Sequence, residues 1–194
     1  MTSGHAHDSS PRLPGEPGVW VLIGGDMLVF SAFFLTFLFY RGDAPAAYAH
    51  SAATLNLLFG TLNTLLLLTS SWYVANAAEA ARQQQSTRAA RLLAFGMLCG
   101  AGFVVVKFFE YRDKILAGHG LVGDDFFMFY YMFTGIHLVH VLIGLAVLGW
   151  LRRRTRQRPA ATSQDIVILE CGASFWHLVD ILWIVLFALF YLVR

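Results

Sequence analysis

Three ionisable side chains stand in an apolar segment near the end of the chain, where they could bind protons or form ion pairs. The segment ECGASFWHLVDILW contains Glu170, His177 and Asp180, within an apolar run that extends from about Ile166 to Val193. A helix of this length crosses a bilayer, and a charged group at membrane depth costs at least ~2.5–3.5 kcal/mol. These side chains must therefore be held by partners or kept neutral, and such carboxylates and imidazoles are typical of proton paths.

Two further apolar stretches carry groups of the same kind. His137 and His140 are three residues apart in FTGIHLVHVLIG, and Asp26 follows two glycines in the first stretch. On the last segment the ionisable residues are spaced by seven and by three, which keeps them on one helix face. A helical rise of about 1.5 Å per residue places Asp26, His137, His140, Glu170 and His177 in one layer. We therefore expect the last helix to pack its polar face against the first and fourth.

Polar residues on the second and third apolar stretches suit helix ends and helix contacts. Asn56, Gly60 and Asn63 repeat along one face of the second stretch, and small and amide residues are typical where helices touch in lipid. Lys107 and Glu110 are three apart near the outer end of the third stretch. This spacing predicts a local ion pair that snorkels to the interface.

The histidines do not indicate a haem or metal centre. His137 and His140 are too close on one helix to clamp a haem from opposite sides, which leaves His177 as the intramembrane histidine on another span. The chain has no CxxCH attachment motif and lacks the Cys, His and Met set of a copper centre. We therefore predict no catalytic residues, no metal site and no redox cofactor.

Five apolar blocks provide the helices that must position these groups. Hydrophobic residues make up 57% of the 194 residues and charged residues only 13%. Each block reaches the ~17–25 residues needed to span a bilayer. The blocks are 18–40, 55–78, 92–111, 126–151 and 166–193. The sequence therefore predicts an all-α polytopic membrane bundle of five transmembrane helices, forming one domain over residues 18–194.

The basic residues predict the orientation of this bundle. With five spans, nine arginines lie on the same side of the membrane as the N-terminus: Arg12, Arg82, Arg88, Arg91, Arg152, Arg153, Arg154, Arg156 and Arg158. The other side receives four basic residues: Arg41, Arg112, Lys114 and Arg194. The positive-inside rule then places the N-terminus in the cytoplasm, with residues 1–17 as a flexible tail, and the C-terminus in the periplasm. Because a topology signal explains the run 152–158, we expect no nucleic-acid partner.

Four segments together resemble subunit III of the haem–copper oxidases, the cytochrome c oxidase subunit III family. They are GDMLVFSAFF, KFFEY, FTGIHLVHVLIG and ECGASFWHLVDILW, in that order and spacing. The joint signature H-x-x-H-V-x-x-G followed by E-x6-H-x2-D-x2-W is specific, whereas each half alone is weak. EPGVWVLIGGD and NTLLLLTSSW are similar to the short five-helix form encoded with nitric oxide reductases, the reductase accessory or activation proteins.

The resemblance implies a non-catalytic subunit of a respiratory complex. Family members bind no haem or copper, pack against the catalytic subunit, support proton delivery and stability, and commonly hold phospholipid. Asp26 stands where the family usually has glutamate, and the chain lacks the two further helices that form one wall of the lipid cleft in longer members. The other matching polar positions are Glu110, His137, His140, Glu170, His177 and Asp180.

These inferences predict an accessory subunit in a bacterial inner membrane. Its partners would be membrane lipids and the catalytic subunit of a haem–copper oxidase or a nitric oxide reductase, in an electron transport chain such as that of denitrification. It would support assembly, stability or proton supply, with phospholipid as its one expected bound cofactor. Two alternatives are an independent proton-coupled carrier and a transient assembly factor. Short loops and the lack of repeat symmetry favour the accessory subunit.

Overall fold

The computed structural model describes residues 17–118, 120, 124–158 and 160–193, so residues 1–16 of the predicted tail lie outside the described residues. The described part contains six α-helices and no strand. They are α1 (Pro17–Asp43), α2 (Pro45–Ala53), α3 (Leu57–Arg82), α4 (Ser86–Leu116), α5 (Asp125–Gln157) and α6 (Ser163–Phe187), and a π-helical segment, Ala188–Leu192, continues α6. The predicted all-α fold is confirmed.

Five of these helices are long and apolar enough to cross a membrane, namely α1, α3, α4, α5 and α6 with its π-helical segment. The predicted five-span bundle is therefore confirmed. Several helices continue past the apolar blocks, because backbone hydrogen bonds extend a helix into the polar interface as readily as through lipid. We call the end of the bundle that carries Arg82, Arg91 and residues 152–158 the arginine-rich end.

The segment between the first two spans, which the sequence predicts as a loop, forms the short helix α2. Its buried Tyr48 packs edge-on against Phe37, with ring centroids 5.5 Å apart, and against Phe126 at 6.0 Å. Burial and the nearby carboxylates of Asp125 and Asp124 raise the pKa of Tyr48 to about 12. The neutral tyrosine therefore anchors α2 across the end of the bundle opposite the arginine-rich end.

Short polar side chains begin three of the long helices. Asn56 and Asp124 each accept a hydrogen bond from the backbone N–H two residues further on, at 3.0 and 2.9 Å. Thr162 and Asp165 form a capping box at the start of α6. These bonds satisfy backbone donors that have no partner inside the helix. Asn56 is exposed, so it caps α3 instead of packing between helices as the sequence predicts.

Glycines allow the closest approaches between α3, α4, α5 and α6. A Cβ at Gly60 would lie 2.8 Å from the ring of Tyr191, which is too close for any side chain there. Trp176 of α6 fills the space above two further glycines, since a Cβ would lie 2.8 Å from its ring at Gly100 and 2.6 Å at Gly144. The predicted helix contact at Gly60 is confirmed, and small residues admit the large ring of Trp176 into the core.

Helix α1 is the most exposed of the five spans. It buries Ile23, Phe30 and Phe37, which are seven residues apart and therefore lie on one face. The ring of Phe37 lies 5.0 Å from that of Phe190, and Phe30 lies 5.6 Å from His140. One narrow apolar stripe thus attaches α1 to α5, to α6 and to the π-helical segment.

Candidate functional site

The ionisable residues of the spans form separate groups, each joining a different set of helices. The ionisable residues that the sequence predicts to lie in one layer therefore do not contact one another as a single set. The groups are Lys107 with Glu110, Asp26 with His140, Ser71 with His177 and Asp180, and Arg82 with Glu170.

Lys107 and Glu110 form an ion pair inside the bundle. The Lys107 Nζ lies 2.9 Å from the Glu110 carboxylate, and both side chains have no exposed surface. Lys107 also donates to the hydroxyl oxygens of Tyr130 at 2.9 Å and Tyr191 at 3.1 Å, and the Tyr191 hydroxyl donates to Glu110. The pair is therefore enclosed by α4, α5 and the π-helical segment, whereas the sequence predicts that it snorkels to the interface.

Aromatic rings complete the surroundings of the Lys107 ammonium. It lies 4.8 Å from the ring centroid of Tyr130, 4.9 Å from that of Trp183, and 5.4 and 5.6 Å from those of Tyr111 and Tyr191. Ring faces attract cations at such distances. Because a buried ion pair is stable only when further bonds satisfy both charges, the rings and hydroxyls together make this burial feasible.

His137 lies fully buried in the interior beside this cluster. Its ring is 5.7 Å from that of Phe103 and 5.4 Å from that of Trp183. Within the described residues neither ring nitrogen has a hydrogen-bond partner, and the same holds for both amide atoms of buried Asn63. Leaving such groups unpaired costs about 1–3 kcal/mol each, so apolar packing alone does not explain these two residues.

Asp26 and His140 meet at the surface between α1 and α5. The His140 Nε2 lies 3.6 Å from the Asp26 carboxylate, and the side chains are 19% and 23% exposed. The other ring nitrogen, Nδ1, donates to the carbonyl of Ile136 at 2.9 Å. The two side chains therefore form a partly exposed polar contact between α1 and α5.

The polar face of α6 contacts α3. The His177 Nδ1 lies 2.8 Å from the Ser71 hydroxyl, which also interacts with the nearly buried Asp180. A serine hydroxyl has one proton, so Ser71 can donate to the imidazole or to the carboxylate. Ser71 and His177 thus form a hydrogen-bonded contact between α3 and α6, with Asp180 beside it.

Glu170 binds an arginine at the arginine-rich end. Both Nε and Nη2 of Arg82 lie 2.8 Å from one Glu170 oxygen, and Arg82 also lies 3.5 Å from Glu79. Glu170 and His177 line the same surface cleft of about 230 Å³ between α3 and α6. Glu170 therefore lies near an interface with water, where a guanidinium neutralises it.

These contacts confirm one prediction about α6 and correct another. Glu170, His177 and Asp180 share one helix face, as their spacing predicts. That face meets Ser71 and Arg82 of α3, however, and not α1 and α5 as expected. Neither partner is predicted from the sequence, although each is a polar residue on or beside the second apolar block.

The arrangement is suited to holding helices together. Among the described residues, no three His, Cys, Asp or Glu side chains converge closely enough to hold a metal ion. The ionisable groups are paired with opposite charges, hydroxyls or rings instead. These features define a polytopic membrane bundle joined by interhelical polar contacts.

Comparison with known proteins assigns this bundle to a family. The family profile described as Cytochrome c oxidase subunit III matches residues 12–193. Cytochrome c oxidase subunit 3 of Thermostichus vulcanus is 31% identical over 179 residues, which are 90% of this chain and 85% of that protein. The protein of the same name from Synechocystis sp. is 28% identical over 188 residues, covering 97% and 79%. The chain belongs to the cytochrome c oxidase subunit III family.

A third relative is a much longer protein. Heme-copper oxidase subunit I+III of Aeropyrum pernix is 24% identical over 192 residues. The match covers 96% of this chain and 24% of the relative. The homologous region therefore also occurs within a larger polypeptide.

Proposed function

We propose that the protein is an accessory subunit of a haem–copper oxidase, with no active site of its own, packed against the catalytic subunit. The family match over residues 12–193 carries this proposal. The Aeropyrum pernix relative adds support, because its name joins subunits I and III and this chain matches 24% of its length. Two subunits that occur in one chain in a relative are expected to assemble when they are separate.

The partly exposed Asp26–His140 pair supports a docking face beside α1. Both side chains are partly exposed at membrane depth, where contact with lipid is unfavourable for ionisable groups. Covering them with a protein surface removes that contact. We therefore place the docking face along α1 and the adjacent side of α5, where it would support the assembly and stability of the complex or its proton supply.

The cellular setting is part of the same proposal. The bacterial relatives favour a bacterial inner membrane, and the arginine distribution favours an N-terminus in the cytoplasm. The relatives are named as oxidase subunits, which favours a terminal oxidase as the partner enzyme. A nitric oxide reductase is the second candidate, because EPGVWVLIGGD and NTLLLLTSSW resemble the short accessory proteins of those enzymes.

Affinity purification from native membranes in mild detergent tests this function. We expect a catalytic subunit to co-purify in a fixed ratio, and oxygen or nitric oxide consumption then identifies the enzyme. A chain that binds the immature catalytic subunit and is absent from the mature complex would be an assembly factor. A chain that purifies alone and drives proton-coupled transport in vesicles would be an independent carrier, and either result would overturn the proposal.

A further inference from the structure

A basic cleft opens at the arginine-rich end, between the start of α4 and the end of α5. Its volume is about 550 Å³. Hydroxyls, an aromatic ring and guanidinium groups line it, and none of the described lining residues is acidic. The cleft therefore carries positive charge that its own walls do not neutralise. The principal lining residues are Ser86, Thr87, Arg91, Phe95, Arg152 and Arg156.

The arginines near the end of α5 fall into two sets. Arg154 and Arg158 contact Asp165 of α6, at 2.7 and 3.0 Å, so that carboxylate neutralises part of their charge. Arg152 and Arg156 are four residues apart and line the cleft beside α4. In the described part of the chain these two have no ion-pair partner. A topology signal accounts for the number of arginines but not for this division.

Two further features favour an anionic group in the cleft. The Nε of Arg152 is buried and has no hydrogen-bond acceptor among the described residues, which is costly for a charged donor. Gln85 stands at the N-cap of α4 but makes no capping bond, and its side-chain oxygen instead accepts from Arg88 at 3.0 Å. That side chain therefore does not compensate the positive end of the helix dipole, which attracts anions.

The cleft continues away from the membrane interior into a second cleft of about 470 Å³, at the turn between α3 and α4. The two clefts share Arg91, and the second adds the amides of Gln84 and Gln85. From Gln85 to Phe95 the helix rises about 15 Å, which is the length of about five extended residues. A single small anion would fill only part of this groove, whereas an extended polypeptide segment matches its length.

The walls of the groove offer the groups that recognise a peptide. Gln84 already binds main chain, since its amide donates to the carbonyl of Ala161 at 3.1 Å and accepts from the N–H of Ala161 at 3.0 Å. Gln85 and Thr87 supply donors and acceptors of the same kind. Phe95 is 52% exposed and provides an apolar contact at the other end. These directional groups, together with the guanidinium groups, favour a polypeptide as the anionic occupant.

We propose that this groove binds an extended acidic segment of a partner polypeptide, with its carboxylates on Arg91, Arg152 and Arg156 and an apolar side chain on Phe95. Planar guanidinium groups donate paired hydrogen bonds to carboxylates. Because the arginine-rich end is predicted to face the cytoplasm, the segment belongs to a cytoplasmic loop or terminus of the partner. The groove shares no residue with the four polar groups described above, so it is a second contact surface, separate from the proposed docking face.

Fluorescence anisotropy with a labelled peptide tests the site on the purified full-length protein in detergent. The probe contains five glutamates and one phenylalanine, and its control contains glutamine in place of each glutamate. Arg91→Gln and Arg152→Gln should each weaken binding of the acidic probe by about fivefold. The matched variant is Arg153→Gln, an exposed neighbour that lines neither cleft, and it should stay within about twofold of the unmodified protein, because only diffuse attraction is reduced.

Three results would overturn the proposal. Equal losses in Arg152→Gln and Arg153→Gln would show attraction to the whole basic surface without a site. Equal binding of the glutamate and glutamine peptides would show that the groove does not recognise carboxylates. Complete displacement of the acidic peptide by millimolar inorganic phosphate or by phosphatidylglycerol would show that the cleft prefers phosphate groups to a polypeptide.

Site-specific photocross-linking in native membranes tests the site without the arginine variants. A photoreactive amino acid replaces Thr87, an exposed residue of the groove, and in the control it replaces Gln157, an exposed residue outside it. The probe at position 87 should label one polypeptide segment rich in aspartate and glutamate, and the probe at position 157 should not. Labelling of lipid alone, or of a segment without carboxylates, would contradict the proposal.

Discussion

The Lys107 ammonium lies 2.9 Å from the Glu110 carboxylate, and neither side chain reaches the surface of the bundle. Tyr130 of α5 and Tyr191 of the π-helical segment both accept hydrogen bonds from the ammonium. One ion pair on α4 therefore connects three parts of the fold. Its charges have no contact with water, so each depends on the other.

Glu110→Gln should strongly destabilise the protein. Removing one partner of a buried ion pair leaves an uncompensated charge and costs about 3–5 kcal/mol. The measurement is the free energy of unfolding in detergent. Glu79→Gln is the matched control, because Glu79 is 55% exposed and lies 3.5 Å from Arg82, and its loss should cost below about 1 kcal/mol.

A double variant separates charge from packing in this pair. Lys107→Met with Glu110→Gln removes both charges, so it should be more stable than Glu110→Gln alone. Equal stability of Glu110→Gln and the Glu79→Gln control would show that the buried pair does not hold the helices together.

Ser71→Ala should weaken the contact between α3 and α6 by a smaller amount. The substitution removes the hydroxyl that His177 and Asp180 share. Hydrogen bonds between membrane helices contribute about 0.6 kcal/mol on average and at most about 1.7 kcal/mol. Thermal unfolding should show this loss, while Ser174→Ala, in the α3–α6 cleft, should have little effect. A loss as large as that of Glu110→Gln would indicate a larger network than the three side chains seen.

Asp26→Asn distinguishes a docking role from a proton role. Because the pair with His140 lies on the proposed docking face, we expect weaker association with the catalytic subunit. The complex that still forms should turn over normally at every pH. Asp43→Asn, at the end of the same helix, is the control and should leave association unchanged. An intact complex with slowed turnover in Asp26→Asn would instead assign the pair to proton supply.

Reporter fusions test the predicted orientation. A fusion after Arg153 should report the cytoplasm, because that loop carries most of the positive charge. A fusion at the C-terminus should report the periplasm, since five spans separate the two ends of the chain. Both reporters on one side would contradict the five-span topology.

The spans could be predicted because length and apolarity suffice to define a membrane helix. Helix α2 could not, since its alanine-rich sequence has no apolar block and it packs through Tyr48 onto Phe37, a residue of another helix. Spacing also predicts that Lys107 meets Glu110. Its burial depends on tyrosines that are far away in the sequence, so no local pattern indicates it.

The residues that contact the polar face of α6 could not be predicted from local sequence patterns either. Residue spacing gives the helix face of Glu170 and His177, and helical rise gives their approximate depth. Neither quantity says which helix is next to that face. Ser71 and Arg82 lie there because α3 packs beside α6, and that arrangement depends on contacts such as Gly60 against Tyr191.

Haem spectroscopy of the protein purified alone and in its complex tests the central claim most directly. The chain expressed without other subunits should show no haem absorbance, and the complex purified through it from native membranes should show the haem spectrum of its catalytic subunit. Stoichiometric haem in the isolated chain would contradict the account. So would a chain that never co-purifies with a haem protein from membranes in which the oxidase is active.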